Sequence, residues 1–213
     1  MSIENNLKTI KSNIQSNITL VAVSKTKPNS DIIEAYNAGQ KIFGENKVQE
    51  LARKQKELPT DIEWHMIGHL QTNKVKYIAP FVSLIHTVDS IKLLKEIDKR
   101  AKQNKRVIDC LLQVHIANEQ TKFGFQIEAI EKTIEISKGF KNTNIKGLMS
   151  MATFTDNINQ INKEFTSINK LYKKVKNNNI NTLSIGMSGD YKLAINNGST
   201  MVRVGSAIFG KRK

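Results

Sequence analysis

Ile18-Thr19-Leu20-Val21-Ala22-Val23-Ser24-Lys25-Thr26-Lys27-Pro28 runs a strand-forming stretch straight into a lysine and then a proline turn. The β-branched and apolar residues 18–23 read as a buried strand, and Lys25 falls where it stops. A lysine at the end of a buried strand has a desolvated amine. That lowers its basicity and suits a Schiff base with an aldehyde or ketone. The chain carries 33 Lys and Arg, so a snorkelling surface side chain is the ordinary alternative for any one of them. Whether Lys25 differs depends on what the rest of the chain brings to it.

Outward from this stretch, short β-branched runs alternate with longer amphipathic segments. Residues 41–44, 62–67, 82–87, 107–114, 145–151, 181–185 and 201–204 read as further strands. Between them, Asn29 or Ser30 caps a helix that stops at Gly39, and Asp89 or Ser90 caps one with Leu93, Ile97 and Ala101 on one face. Other helices are expected near residues 47–57, 73–78, 127–137, 158–176 and 190–195. Eight β runs, each followed by a helix, predict a (β/α)8 TIM barrel with an extra helix at about residues 3–15. The chain is short for that architecture, so its loops must be tight, and an open doubly wound sheet is the alternative. No Pro/Gly/Ser linker or repeat divides it, which makes residues 1–213 a single domain.

Composition narrows the partners. A hydrophobic content of 39% with 24% charged residues is that of a globular protein. The one cysteine, Cys110, excludes an internal disulfide framework and sits in an apolar run, as a buried inert thiol does. Residues 1–6 lack a signal-peptide pattern, and no stretch is apolar enough to span a bilayer, so a cytoplasmic location without membrane contact is expected. The net charge of +14 raises the question of nucleic acid. The lysines are scattered, however, the one dense run is Lys211-Arg212-Lys213, and aromatics are only 6%, leaving little for bases to stack on. No nucleic-acid partner is expected.

In a TIM barrel the chemistry sits at the C-terminal ends of the strands, with phosphate often held after strands seven and eight. The unusual residues of this chain fall at those ends: Lys25, Gly44-Glu45-Asn46, His86-Thr87, Met149-Ser150-Met151, Gly186-Met187-Ser188-Gly189-Asp190 and Arg203-Val204-Gly205-Ser206. The glycine-rich turns around Ser188 and Gly205 offer hydroxyls and unpaired amides to an anion. Asn197-Gly198-Ser199-Thr200 precedes strand eight and belongs to the opposite rim, as a structural turn. Arg203, on an otherwise apolar strand, needs an acceptor, for which a carboxylate neighbour is the plain option. His65 and His69 straddle a strand end and Gly68, which does not suit a metal. His86 and His115 are either structural or placed to orient a ligand.

These segments together resemble the pyridoxal phosphate homeostasis proteins (YggS/PROSC-like) over essentially the whole length. The resemblance rests on residues 22–28, 43–50, 64–74, 122–125, 147–151, 184–190 and 198–210. It implies an alanine-racemase-like barrel (fold type III among pyridoxal phosphate proteins) that holds pyridoxal 5'-phosphate (PLP) as a Schiff base on Lys25. Ser188, Gly205 and Ser206 would take the phosphate, Arg203 would face the pyridine nitrogen, and Asn46 and Met149 would lie near the cofactor. A cation at that nitrogen disfavours its protonation and weakens the cofactor as an electron sink. The resemblance therefore implies a monomeric PLP carrier in intracellular PLP homeostasis, with PLP-dependent client enzymes as partners and little or no turnover. The sequence ends soon after strand eight, leaving no room for the second domain from which racemases draw their opposing base. A low-activity racemase is the alternative, with a Schiff-base aldolase and a nucleic-acid binder behind it. His69 and Ile185 depart mildly from the family pattern.

Overall fold

Strands and helices alternate along the chain until the sheet closes on itself. The computed structural model describes residues 2–117 and 123–210, so Lys122 of the resemblance and the basic run 211–213 lie outside the described residues. Helix α1 (Ile3–Ser12) precedes β1 (Thr19–Val23), α2 (Asn29–Asn37), β2 (Ile42–Glu45), α3 (Val48–Glu57) and β3 (Glu63–Met66). Next come α4 (Val75–Ile78), β4 (Leu84–Val88), α5 (Ile91–Gln103), β5 (Ile108–Gln113), α6 (Ile130–Ser137) and β6 (Thr143–Met149). Helix α7 (Ile158–Val175), β7 (Thr182–Ser184), α8 (Tyr191–Asn196), β8 (Met201–Val204) and α9 (Ser206–Phe209) complete it.

All eight strands are parallel, and β1 pairs with both β2 and β8, with Thr19 opposite Met201 and Val21 opposite Arg203. That closure excludes the open doubly wound sheet. Strand six ends at Met149, two residues short of the expected 151, and α9 is a helix that periodicity over so short a span does not show. Ser90 accepts from the Leu93 amide as the α5 cap, whereas α2 has Pro28 at its cap position and no side-chain cap bond from Asn29 or Ser30.

The period of two along each strand divides the side chains between two cores. One set packs outward under the helices, where Phe43, Leu94, Ile97, Phe165 and Ile168 are buried. Each such side chain contributes about 1.5–3 kcal/mol relative to exposure. The other set fills the barrel, where Val21, Leu84, Leu111, Met149 and Met201 form an apolar cluster. Two residues further along the same strands the interior turns polar: Leu84 gives way to His86, Leu111 to Gln113 and Met201 to Arg203. The apolar plug is thus at the N-terminal end of the barrel and the polar layer faces the C-terminal rim.

Close strand packing requires glycine at position 147, where a Cβ would lie 1.7 Å from the Thr182 carbonyl of the paired strand. Gly147→Ala is expected to destabilise the protein by about 3 kcal/mol in urea unfolding. Gly189→Ala, with nothing within 4 Å of the added methyl, should shift the midpoint little. Equal shifts for the two would contradict this account.

Candidate functional site

A cavity of about 380 Å³ opens at the C-terminal rim, within the range of small-molecule sites. Lys25, Asn46, Ser188, Arg203, Gly205 and Ser206 all line it, with Val23, Lys27, Ile67, Met151, Phe154 and Met187 supplying much of the rest. Met149 does not line it. That side chain is buried in the apolar plug, and Met151, one strand period later, is the methionine that reaches the rim.

Lys25 is half-buried and lies two residues beyond the end of β1. Its neighbours on both sides are tied down. The Ser24 amide continues the sheet ladder by donating to the Gly44 carbonyl at 3.1 Å, and the Ser24 hydroxyl donates to Glu45 Oε1 at 2.6 Å. Thr26 has φ of 66°, a left-handed conformation costing a β-branched residue about 1–2 kcal/mol, and its amide donates to Glu50 Oε1 at 2.8 Å. Beneath this turn lies Lys54, on the inner face of α3 with Val48 and Leu51 and fully buried. Its amine donates to the Ser24 carbonyl, Glu45 Oε1 and Glu50 Oε1 at 2.9, 2.8 and 2.7 Å. Burial raises the Glu45 carboxyl above its ordinary range, with Lys54 and Ser24 pulling the other way. Sequence reading passed over this cluster. The available signal was a lysine at position 54 in the apolar stripe of an amphipathic helix.

Asn46 is placed by a close backbone approach. A Cβ on residue 68 would come within 2.3 Å of the Asn46 carbonyl, so only glycine fits there, and the Thr87 hydroxyl holds the Gly68 carbonyl at 2.7 Å.

On the opposite wall, the amides of Gly205 and Ala207 converge on the Ser188 hydroxyl oxygen at 3.0 and 3.4 Å. Gly186 makes the preceding turn possible. It has φ of 96°, and a Cβ there would lie 2.6 Å from the Ala194 methyl. The Met187 amide donates to Asp190 Oδ1, which closes the loop around Ser188. These two amides, with the hydroxyls of Ser188 and Ser206, are the donors on this wall that could hold an anion.

Arg203 forms the polar floor. Its guanidinium donates to the Ser184 carbonyl and hydroxyl at 2.8 and 2.6 Å and to the Ser150 carbonyl at 2.9 Å. The oxygens it donates to are neutral, rather than the carboxylate that a plain ion pair would supply. Burial pulls it down to about 10, with Asp190 opposing, so it remains a cation at neutral pH. The Ser184 hydroxyl also meets His86 Nδ1 at 3.2 Å, and His86 Nε2 meets His65 Nδ1 at 3.0 Å. In each neutral ring one nitrogen donates and the other accepts, so the Ser184–His86–His65 chain runs in one direction throughout. Both histidines are buried and neutral, His65 pushed down to about 3 and His86 well below its usual value. They back the arginine and do not line the cavity. His69 stacks on Phe123 and pairs with Asp89 at 3.2 Å, and among the described residues no group of three His, Cys, Asp or Glu gathers as a metal site.

Known proteins resemble this chain in sequence and in fold. Residues 1–213 match the family model described as alanine racemase, N-terminal domain. The chain is 40% identical over 198 residues to the pyridoxal phosphate homeostasis protein of Aquifex aeolicus, covering 91% of this chain and 87% of that one. It is 38% identical to that of Pasteurella multocida, covering 100% and 98%. Among solved structures, PipY of Synechococcus elongatus with PLP bound superposes with a TM-score of 0.88 at 32% identity, covering 98% of this chain and 100% of PipY. An alanine racemase of Clostridium difficile, 13% identical with a TM-score of 0.81, shares the fold over 99% of this chain and 57% of its own.

The neutral histidine pair gives the fold a pH signature. In the unfolded chain each imidazole takes up a proton near its ordinary value of about 6.5, while the folded protein keeps them neutral. Stability is therefore complete above that value and is lost as pH falls toward the depressed folded values. For His65, held down to about 3, the loss between pH 7 and pH 5 should be about 2 kcal/mol in urea unfolding. His65→Gln should lower stability at pH 7 yet remove that share of the slope, and an unchanged slope would count against the assignment.

Proposed function

The chain belongs to the pyridoxal phosphate homeostasis protein family, on the barrel of the alanine racemase N-terminal domain, and we propose that it binds PLP and serves intracellular PLP homeostasis. The observation that carries this reading is one cavity with Lys25 on one wall and, on the other, two amides gathered on the Ser188 hydroxyl. When bound, PLP supplies an aldehyde that captures amines and a ring that draws electrons from them. Lys25 is the residue that would join the aldehyde carbon, its amine displacing water to give the Schiff base. Ser188, Gly205 and Ser206 would hold the phosphate, Asn46 would flank the ring, and Arg203 would face the pyridine nitrogen.

The residues favour holding over turnover. A guanidinium facing the pyridine nitrogen would disfavour protonation of that atom, so the ring would draw electrons less strongly. Among the described residues, the titratable side chains lining the cavity are Lys25, Lys27 and Arg203, and the Lys27 amine donates to the Phe209 carbonyl at 2.6 Å. None of the three is a carboxylate, imidazole or phenol placed to trade protons with a bound amino acid. The rim is exposed at Met187 and at Phe154, the latter 97% accessible, which supports exchange of the ligand with its surroundings. PLP-dependent enzymes are the recipients this reading implies, and the protein acts as a monomer in the cytoplasm. No helix among the described residues is long and apolar enough to cross a membrane. Exposed lysines pair singly with Asp61, Glu131 and Glu135 across the surface, which supports a reading without nucleic acid. Slow racemisation is the second reading, favoured by the barrel shared with alanine racemases.

Purified protein mixed with PLP should acquire a visible absorbance band that borohydride bleaches, leaving a stable adduct on the peptide bearing Lys25. Lys25→Ala should abolish the adduct, and Ser188→Ala should weaken PLP binding about 5–10-fold. An adduct on another lysine would overturn the assignment. Steady-state racemisation that disappears in Lys25→Ala would favour the second reading.

A further inference from the structure

We infer that Lys54 is a positioning residue for Lys25, acting through the two peptide groups that bracket it. The inference rests on the proposed covalent role of Lys25. The amine of Lys54 lies beneath the cavity and does not line it, so it makes no contact with a ligand there. It is fully buried, and all three of its protons are used: on the Ser24 carbonyl, on Glu45 and on Glu50. The residue before Lys25 is therefore gripped at its carbonyl by Lys54 and at its hydroxyl by Glu45. The residue after it is gripped at its amide by Glu50, which Lys54 holds in turn.

Thr26 shows what the grip accomplishes. A threonine at φ of 66° returns to the negative region unless its surroundings forbid it. Thr26 is exposed, so packing does not forbid it; the Lys27 amide closes the turn on the Ser24 carbonyl at 3.0 Å, and the contact made by the Thr26 amide itself is the Glu50 carboxylate. Were the Glu50 bond lost, the peptide between Lys25 and Thr26 would be free to rotate, and the lysine amine would lose its fixed place opposite Ser188 and Gly205. That opposite wall belongs to the loops after β7 and β8 and would stay in place. Removing Lys54 should thus separate two properties of one cavity. Capture of an aldehyde by Lys25 depends on placement of the amine and is acutely sensitive to it. Affinity for the phosphate end is not.

The test compares PLP with pyridoxine 5'-phosphate, which carries the phosphate and ring but no aldehyde. In Lys54→Met and in Glu50→Ala, the rate of Lys25 adduct formation, followed by visible absorbance and borohydride trapping, is expected to fall at least ~10-fold. Calorimetric affinity for pyridoxine 5'-phosphate should stay within about threefold of the unaltered protein. Glu50 is partly exposed, so its variant decides the matter should Lys54→Met fail to fold. Parallel loss of rate and affinity in Glu50→Ala would mean a merely structural cluster and would overturn the inference, as would an unchanged rate. Absence of a Lys25 adduct in the unaltered protein would overturn the covalent reading and this inference with it. An adduct in the unaltered protein with unchanged variant rates sinks the inference alone.

Discussion

A guanidinium sealed inside a barrel must meet an oxygen wherever it points, and the arrangement around Arg203 follows from that need. Satisfying it takes carbonyls from the ends of β6 and β7 and the Ser184 hydroxyl, which fixes where those strands stop relative to β8. Ser184 accepts from the arginine and is joined to His86, which is joined in turn to His65, so the arginine heads a chain of buried polar side chains. One buried cation is thereby linked to side chains on β7, β4 and β3 without a carboxylate among them. A carboxylate would neutralise the cation, whereas neutral oxygens leave its charge directed at whatever lies in the cavity above.

The second charged device, at Lys54, works by a different logic. Arg203 presents its charge to the cavity, while Lys54 spends its own on two carboxylates and a carbonyl behind the wall. Buried ion pairs add little to stability compared with well-packed apolar side chains, so their use lies in specifying one backbone arrangement among several. Here the arrangement specified is a turn carrying a β-branched residue in a left-handed conformation. Glycines do the same work elsewhere on the rim by omission, at Gly68 against Asn46 and at Gly186 against α8.

Much of this was legible in the sequence because the barrel imposes two simple periods. Strand runs a helix-length apart gave the eight βα units, and strand ends collected Lys25, Asn46, Ser188, Arg203, Gly205 and Ser206, which line one cavity. Met149 was drawn in by the same rule and lies one period too deep, because β6 stops at that residue and the rim is reached only at Met151. The partners of Arg203 were not legible. Ser184 and Ser150 reach it through neighbouring strands whose register no single stretch encodes, and two of the bonds go to carbonyls that every residue has. His86 looked like a rim residue for the same reason. Lys54 left a trace, a charge in an apolar stripe, but its three acceptors come from three separate segments.

The pairing of β1 with β8 has a bearing on biosynthesis. Lys25 is made among the first few dozen residues, whereas Gly205 and the amide of Ala207 are among the last that the barrel needs. The two walls of the cavity are thus remote in time as well as in sequence, and the nascent chain can close the ring only when β8 has left the ribosome. Until then Lys25 sits on an unfinished edge, without the Ser188, Gly205 and Ala207 wall opposite it. The complete cavity thus exists only in molecules whose synthesis has run through both of its walls.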